Sequence, residues 1–516
     1  MERVGALLLG GLLFSSLRIP RELLDYIKDD SCDDAPRFGI PFVEVVSNDV
    51  TTYSACGYGA QKYRHPMHHE GLPWLHEVFH TGDSVWFAAL NPGTCESEWI
   101  NPDPNGTVSF FVSSDDEDIH FICEFADGTN VTSDPIPPVK DEGSYYEAMI
   151  IMIRCDIPSH LQVPSVQSIF NVSLHATVDL EPWLPDNVTR DWQTPIATGP
   201  GSYENLRVCP REWPDLTLPS IKNPDKKNTT IPKKRHTLSM VTQIRMEYEG
   251  DNHETITIPP ENIVTWIEYN LLIGFEHFYI FDNGDNRHGL LELLLAPYIQ
   301  DGTVTYVWYN MPNCYRHSND ASNGTFMATS QAMLTNTALR RYEHETEWMG
   351  HFDVDEFLQL PDDTLDVKKL LSRTKRSTVM ALQEWYHECE EDEKYYVAVE
   401  NGTYNLDTPE LFPLSRELCV RKDPTPGKSI MRTEHILGFL VHKPWVKTNH
   451  YLVHRVKEFD DLFVAHMRHP RSRDKTNIRN KRRRPLVKGA ELRKELELRV
   501  KKRLALTKNK RVIEVM

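Results

Sequence analysis

The sequence predicts an α/β protein whose second half builds a mostly parallel sheet with helices on both faces, preceded by a β-rich, sandwich-like region. Three observations carry that prediction. Short β-branched and aromatic runs separated by turn residues fill residues 37–180, with few stretches of helical period. Prolines punctuate residues 181–235. From Thr237 onward, apolar strands alternate with helix-length amphipathic stretches, the order expected of parallel strands joined by crossover helices.

The chain divides accordingly. Residues 1–30 read as a signal peptide or a short signal anchor, because the apolar run 4–17 behind Arg3 is too short for an ordinary membrane span. Residues 31–180 form the β-rich region, with strands expected at 42–46, 84–88, 108–112, 119–123, 147–155 and 172–176. Turns such as Asn91-Pro92-Gly93 and Asp127-Gly128 fall between them, and no catalytic constellation appears. Residues 181–235 read as a linker.

Residues 236–470 carry the strand–helix alternation. A strand is predicted at 238–246. A helix opens at Pro259-Pro260-Glu261 and ends at Gly274, with Ile263, Trp266, Ile267, Asn270, Leu271 and Ile273 at helical spacing. Strands at 277–281 and 303–309 flank a helix over 288–298, and a helix over 325–345 leads into a strand at Trp348. Residues 471–516 form a basic, helical tail in which Leu492, Leu496, Leu498, Val500 and Leu504 recur among charges.

Charge and cysteine narrow the function classes. The chain has 516 residues and a formal charge of −18, but residues 468–511 hold 19 Lys and Arg against 4 Asp and Glu. The tail therefore carries about +15 and the rest about −33, a body that repels nucleic acid. Nine cysteines include no CxxC pair, which argues against structural zinc, and six precede residue 210, which suits disulfides. Seven N-x-S/T sequons, at Asn105, Asn130, Asn171, Asn187, Asn228, Asn323 and Asn401, point the same way, to the secretory pathway.

The chemistry-bearing stretch is Trp348-Met349-Gly350-His351-Phe352-Asp353-Val354-Asp355-Glu356-Phe357-Leu358. A buried strand runs out into three acids and then resumes apolar. Carboxylates this close repel one another unless a cation sits among them. A hard divalent ion with oxygen ligands meets that need and also holds a phosphate. Asp116-Glu117-Asp118 has the same D-x-D spacing in a turn-like setting. No G-x-G-x-x-G and no Walker lysine motif follows the first strand, so a glycine loop is not the phosphate holder.

Two segments resemble glycosyltransferase family 92. Residues 266–283, from Trp266-Ile267-Glu268-Tyr269 to Phe281-Asp282-Asn283, are similar to its N-terminal signature, and 352–358 to its D-x-D segment. Gly427-Lys428-Ser429-Ile430 and Ala465-His466-Met467-Arg468 resemble its later elements, with Met467 where tyrosine is usual. The resemblance spans about 236–470. It implies a GT-A fold, a UDP-sugar donor such as UDP-galactose, Mn²⁺ or Mg²⁺, and inverting transfer of galactose to an acceptor glycan. It also implies a Golgi membrane enzyme with a lumenal catalytic domain, or a secreted one.

Roles follow as expectations. Asp353 and Asp355 are the metal and diphosphate carboxylates, His442 and His466 the later metal ligands, and Lys428 a phosphate partner, as are Arg340 and Arg468. Asp282, ending the second strand, meets the nucleoside or caps a turn. Inverting transfer needs a carboxylate base, and Glu384, after the strand 379–383, is placed for it; Glu388, Glu390, Glu391 and Asp392 share its loop. Two other classes compete: a catalytically inactive transferase-like module that binds glycan or protein, and a two-metal nuclease, for which a second carboxylate cluster is missing.

Overall fold

The computed structural model describes residues 74–90, 121–133, 135–136, 150–161, 169–176, 202–211, 234–244, 247–249, 255–258, 260–282, 290–308, 329–360, 366–373, 379–382, 384–386, 417–418, 427–439, 444–446, 453–455, 463–466, 484–485 and 490–514. Eight strands come first: β1 (Trp74–His80), β2 (Ser84–Leu90), β3 (Phe121–Phe125), β4 (Asn130–Ser133), β5 (Pro135–Ile136), β6 (Ile150–Asp156), β7 (Phe170–Ala176) and β8 (Ser202–Pro210). They make one sheet in the order β4-β3-β7-β8-β1-β2-β6-β5. Neighbours are antiparallel except β1 and β8, which are parallel.

This sheet rolls up. β4, at one edge, meets β6 near the other, where the Ser133 hydroxyl donates to the Arg154 carbonyl. The result is nearly closed into a barrel of mixed strand orientation. A disulfide between Cys123 on β3 and Cys155 on β6 ties the two ends together. Side chains alternate across each strand. Val85 and Phe87 join the barrel interior with Phe121, Ile153, Leu174 and Val208. Trp86 and Ala88 face the other way, into an apolar cluster shared with the rest of the chain. Both faces of β2 are thus buried, which is why its sequence reads as a continuous apolar run.

The remainder opens with β9 (His236–Ile244), a hairpin of β10 (Glu247–Glu249) and β11 (Thr255–Thr257), α1 (Pro260–Leu272), β12 (His277–Asp282), α2 (Leu290–Gln300), β13 (Val304–Trp308), α3 (Thr329–Tyr342), β14 (Thr346–His351), β15 (Glu356–Gln359) and α4 (Val367–Arg373). It continues with β16 (Val379–Ala381), β17 (Glu384–Tyr386), β18 (Glu417–Leu418), β19 (Ser429–Arg432), β20 (Ile436–Phe439), β21 (Pro444–Val446), β22 (Val453–Arg455), β23 (Phe463–His466), β24 (Arg484–Pro485) and α5 (Ala490–Glu514). Seven strands form a sheet in the order β13-β12-β9-β14-β19-β16-β22, and β15-β23-β17 form a smaller one. α1 stops at Gly274, whose φ of +107° suits glycine, and a Cβ there would come within 2.9 Å of Asp366 Oδ1.

The predicted open, mostly parallel, GT-A-like sheet covered by helices and preceded by a sandwich is corrected by this architecture. The β14–β19 and β16–β19 pairs are antiparallel, so the seven-stranded sheet is mixed. One of its faces packs on α3, whose other side lies against β2 and β6 of the barrel. The N-terminal strands form a single rolled sheet rather than two stacked ones. The physical reason is that period-two apolar alternation is the same in a sandwich and a barrel, and a four-residue strand carries no mark of its direction. The stretch read as a linker contributes β8. Strands expected at 42–46 and 108–112, the D-x-D-like 116–118 and the N-terminal leader lie outside the described residues.

The tail packs rather than trails. Leu492, Leu496, Val500 and Leu504 recur every fourth residue of α5 and join the core beneath α1 and α2. Arg503 lies over the Tyr298 ring at 4.3 Å, and pairs with Glu268 at 3.1 Å and Asp301 at 2.7 Å. No helix among the described residues is long and apolar enough to cross a membrane.

Candidate active site

Strands β13, β12, β9 and β14 run parallel and so end on one edge of their sheet. Ligands of open α/β sheets bind outside such carboxyl ends. Asp282 closes β12, in register with Ile244 and Trp308. Asp353 leaves the same edge two residues beyond the end of β14. With β9 between them, the two strands stand about 10 Å apart.

Asp282 is buried, and its Oδ2 accepts a hydrogen bond from the Tyr306 hydroxyl at 2.7 Å. Burial and then the neighbouring Asp282 charge push the Tyr306 phenol upward, so it stays a donor. The same two causes raise the carboxyl of Glu292 in the first turn of α2.

The second group sits on the turn 353–356. The Glu356 N–H donates to the Asp353 carbonyl at 2.9 Å, and the Asp353 N–H donates to Glu356 Oε2 at 2.9 Å. These reciprocal bonds fold the acids into one tight turn with Asp355 half-buried on it. The turn is held from behind by α1. Trp266 Nε1 donates to the Glu356 carbonyl at 2.9 Å and the Tyr269 hydroxyl to the Leu358 carbonyl at 2.7 Å. Residues of the two most distinctive sequence segments therefore meet through main-chain bonds.

Lys428 supplies the counter-charge. Its ammonium lies 3.0 Å from Asp353 Oδ2 and 3.2 Å from Glu356 Oε1, and its side chain is 1% exposed. Gln331, in the first turn of α3, donates its amide to Asp353 Oδ1. Asp353 itself stays 30% exposed, so the gripped carboxylate still faces outward.

These residues do not fit a divalent ion as a ready-made ligand set. Both oxygens of Asp353 are engaged, by an amide and an ammonium, and no group of three His, Cys, Asp or Glu side chains assembles among the described residues. His442 and Arg468 lie outside the described residues. Glu384 and His466 are described through their strands. His466 on β23 is the register partner of Glu356 on β15, and Glu384 on β17 is that of Val464, opposite Leu358. The small sheet thus puts His466 level with Glu356 of the acidic turn and Glu384 across β23 from Leu358, while Asp282 stands apart across β9.

Arg340 is neither a phosphate partner nor a surface charge. It is buried, bonded to Glu343 and the Ile436 carbonyl, and stacked on Trp86. Gln331 and Tyr306 were not foreseen, because a single Gln or Tyr in an amphipathic element carries no sequence signature. The sequence marks Lys428 as a partner for phosphate, and the structure pairs it with acids.

Residues 259–509 match the model of glycosyltransferase family 92. This part of the chain is similar to glycosyltransferase family 92. Galactan beta-1,4-galactosyltransferase GALS3 of Arabidopsis thaliana is 29% identical to it over 168 residues, covering 32% of this chain and 26% of that protein. Galactan beta-1,4-galactosyltransferase GALS2 of the same plant is 28% identical over 168 residues, covering 32% and 25%. A glycosyltransferase family 92 protein of Oryza sativa subsp. japonica is 28% identical over 149 residues, covering 28% and 20%. The chain thus spans about a quarter of the length of the first two curated relatives. The family 92 region includes α1, the Asp353 turn, Lys428 and most of α5, and excludes the barrel.

Proposed function

We propose that this chain is a glycosyltransferase of the secretory lumen that moves a hexose, galactose from UDP-galactose, onto an acceptor glycan with inversion. The observation that carries the reading is the acidic turn of a family 92 region at the carboxyl edge of parallel strands, with Asp282 on the same edge. In this reading the nucleoside lies toward Asp282 and the transferred sugar toward the Asp353 turn. Glu384 takes the proton from an acceptor hydroxyl as that oxygen bonds to the anomeric carbon and the carbon–diphosphate bond breaks, releasing UDP. The galactan galactosyltransferases among the relatives support galactose as the sugar, and the Cys123–Cys155 disulfide supports an oxidising compartment.

The test is turnover of a UDP-sugar panel by the full chain with an oligosaccharide acceptor, in Mn²⁺, Mg²⁺ and EDTA. UDP-galactose is expected to be consumed fastest, and Asp355→Asn to abolish the reaction. One observation favours a second reading, an inactive module that binds glycan or protein: Lys428 already neutralises Asp353. That reading requires that no UDP-sugar be bound or cleaved under any metal condition.

A further inference from the structure

We infer that Gln331 is a positioning residue that fixes the carboxylate of Asp353; its kinetic consequence rests on the glycosyltransferase reading above. Asp353 is gripped from opposite sides by segments far apart in the sequence. Lys428 holds Oδ2, and the Gln331 amide holds Oδ1. Its own main-chain N–H is engaged by Glu356. A carboxylate on a turn otherwise rotates about χ1 and χ2, and two fixed donors remove that freedom.

The grip is only as firm as the helix that carries Gln331, and α3 is pinned along its length. Asn336 donates to the Phe439 carbonyl at 2.7 Å and accepts from the Phe439 N–H at 2.8 Å. At the far end Arg341, 1% exposed, bonds Glu77 of β1 and the Arg211 carbonyl and lies over the Phe79 ring at 4.4 Å. Gln331 and Arg341 are ten residues apart, about 15 Å along the helix. A helix fixed to the barrel at one end and to β20 in its middle cannot slide, so its first turn presents the Gln331 amide at a set place. The neutral amide suits this task. It orients the acid without cancelling its charge, which Lys428 already balances.

The experiment compares wild type, Gln331→Leu, Asp353→Asn and the double variant. Leucine keeps size and helix preference and removes the donor. On the proposed activity, Gln331→Leu lowers kcat for UDP-galactose about 10- to 100-fold, the scale of a misplaced catalytic geometry, with a smaller change in KM. That loss disappears in the Asp353→Asn background, whereas a merely structural role produces an equal loss in both backgrounds and overturns the inference. Thermal midpoints of the same four proteins give an arm that needs no activity. Coupling between the two substitutions with no sugar turnover in wild type keeps the positioning contact and removes the transferase reading. Additive midpoints remove the contact itself.

Discussion

Trp266 donates its indole N–H to the main-chain carbonyl of Glu356 at 2.9 Å, across 90 residues of sequence. α1 is thereby the template on which the acidic turn is laid. Tyr269, one turn further along the helix, repeats the device at Leu358. Trp266→Phe keeps an aromatic ring in the core and leaves a buried carbonyl without its donor. The expected cost is about 1–3 kcal/mol of stability, read from denaturant midpoints, with a loss of sugar turnover larger than the stability change explains.

Lys428 pairs with two carboxylates of the turn, and Glu356 beside it is 1% exposed. Lys428→Met strands a buried charge, and breaking such a pair costs about 3–5 kcal/mol. Adding Glu356→Gln to it is expected to recover part of the loss. Chemical denaturation of the single and double variants measures both steps, and no recovery would mean the ion pair is not what holds the turn.

The Arg341–Glu77 pair gives a pH-dependent prediction. Burial raises the Glu77 carboxyl above its ordinary 4.5, and Arg341 pulls it back down. A carboxyl raised in the folded state binds its proton more tightly there than in the unfolded chain. Stability attached to it is present at low pH and falls as pH rises above 4.5. Arg341→Met removes the opposing charge and enlarges that effect. The variant is expected to lose more stability at pH 8 than at pH 5, measured as the difference in unfolding midpoint from wild type.

His277 works in the opposite direction. Its Nδ1 lies 3.0 Å from the Gly302 carbonyl and its Nε2 2.8 Å from the Thr305 hydroxyl, an arrangement that suits the neutral ring. Burial, and next the stacked His236, push its pKa down to about 3. The folded state therefore binds the proton less tightly than the unfolded chain. Stability is full above the ordinary 6.5 and is lost as pH falls toward about 3. His277→Asn is expected to flatten that acid limb in a pH series of thermal midpoints.

The individual elements of the second half were largely legible. The strand 277–281, the helix around Ile263 and Trp266, and the strand at Trp348 all lie where apolar periodicity and the Pro260 and Gly274 boundary signals put them. The sheet they build was less so. Nothing in Ser429-Ile430-Met431-Arg432 announces that it runs against its neighbours, since direction depends on the path of the intervening chain. β8 escaped notice for a different reason. The prolines around it mark loops, while the strand itself, with polar Glu204, Asn205 and Arg207, earns its place by pairing with β7 and β1. The acidic turn was evident from the repulsion its charges imply. What balances it in the structure, Lys428 and Gln331, was not assigned that role, because pairing between distant positions is invisible to local pattern.

α3 has one flank on the seven-stranded sheet and the other on β2 and β6. A shortened protein starting at residue 259, where the family match begins, would leave that second flank bare. Trp86, Phe79 and Glu77 would be gone, and Arg341 would hang over a wet, half-greasy furrow. Cloning for crystallisation or assay should therefore retain residues from Trp74 onward, because the border of the family match cuts through packed apolar contacts.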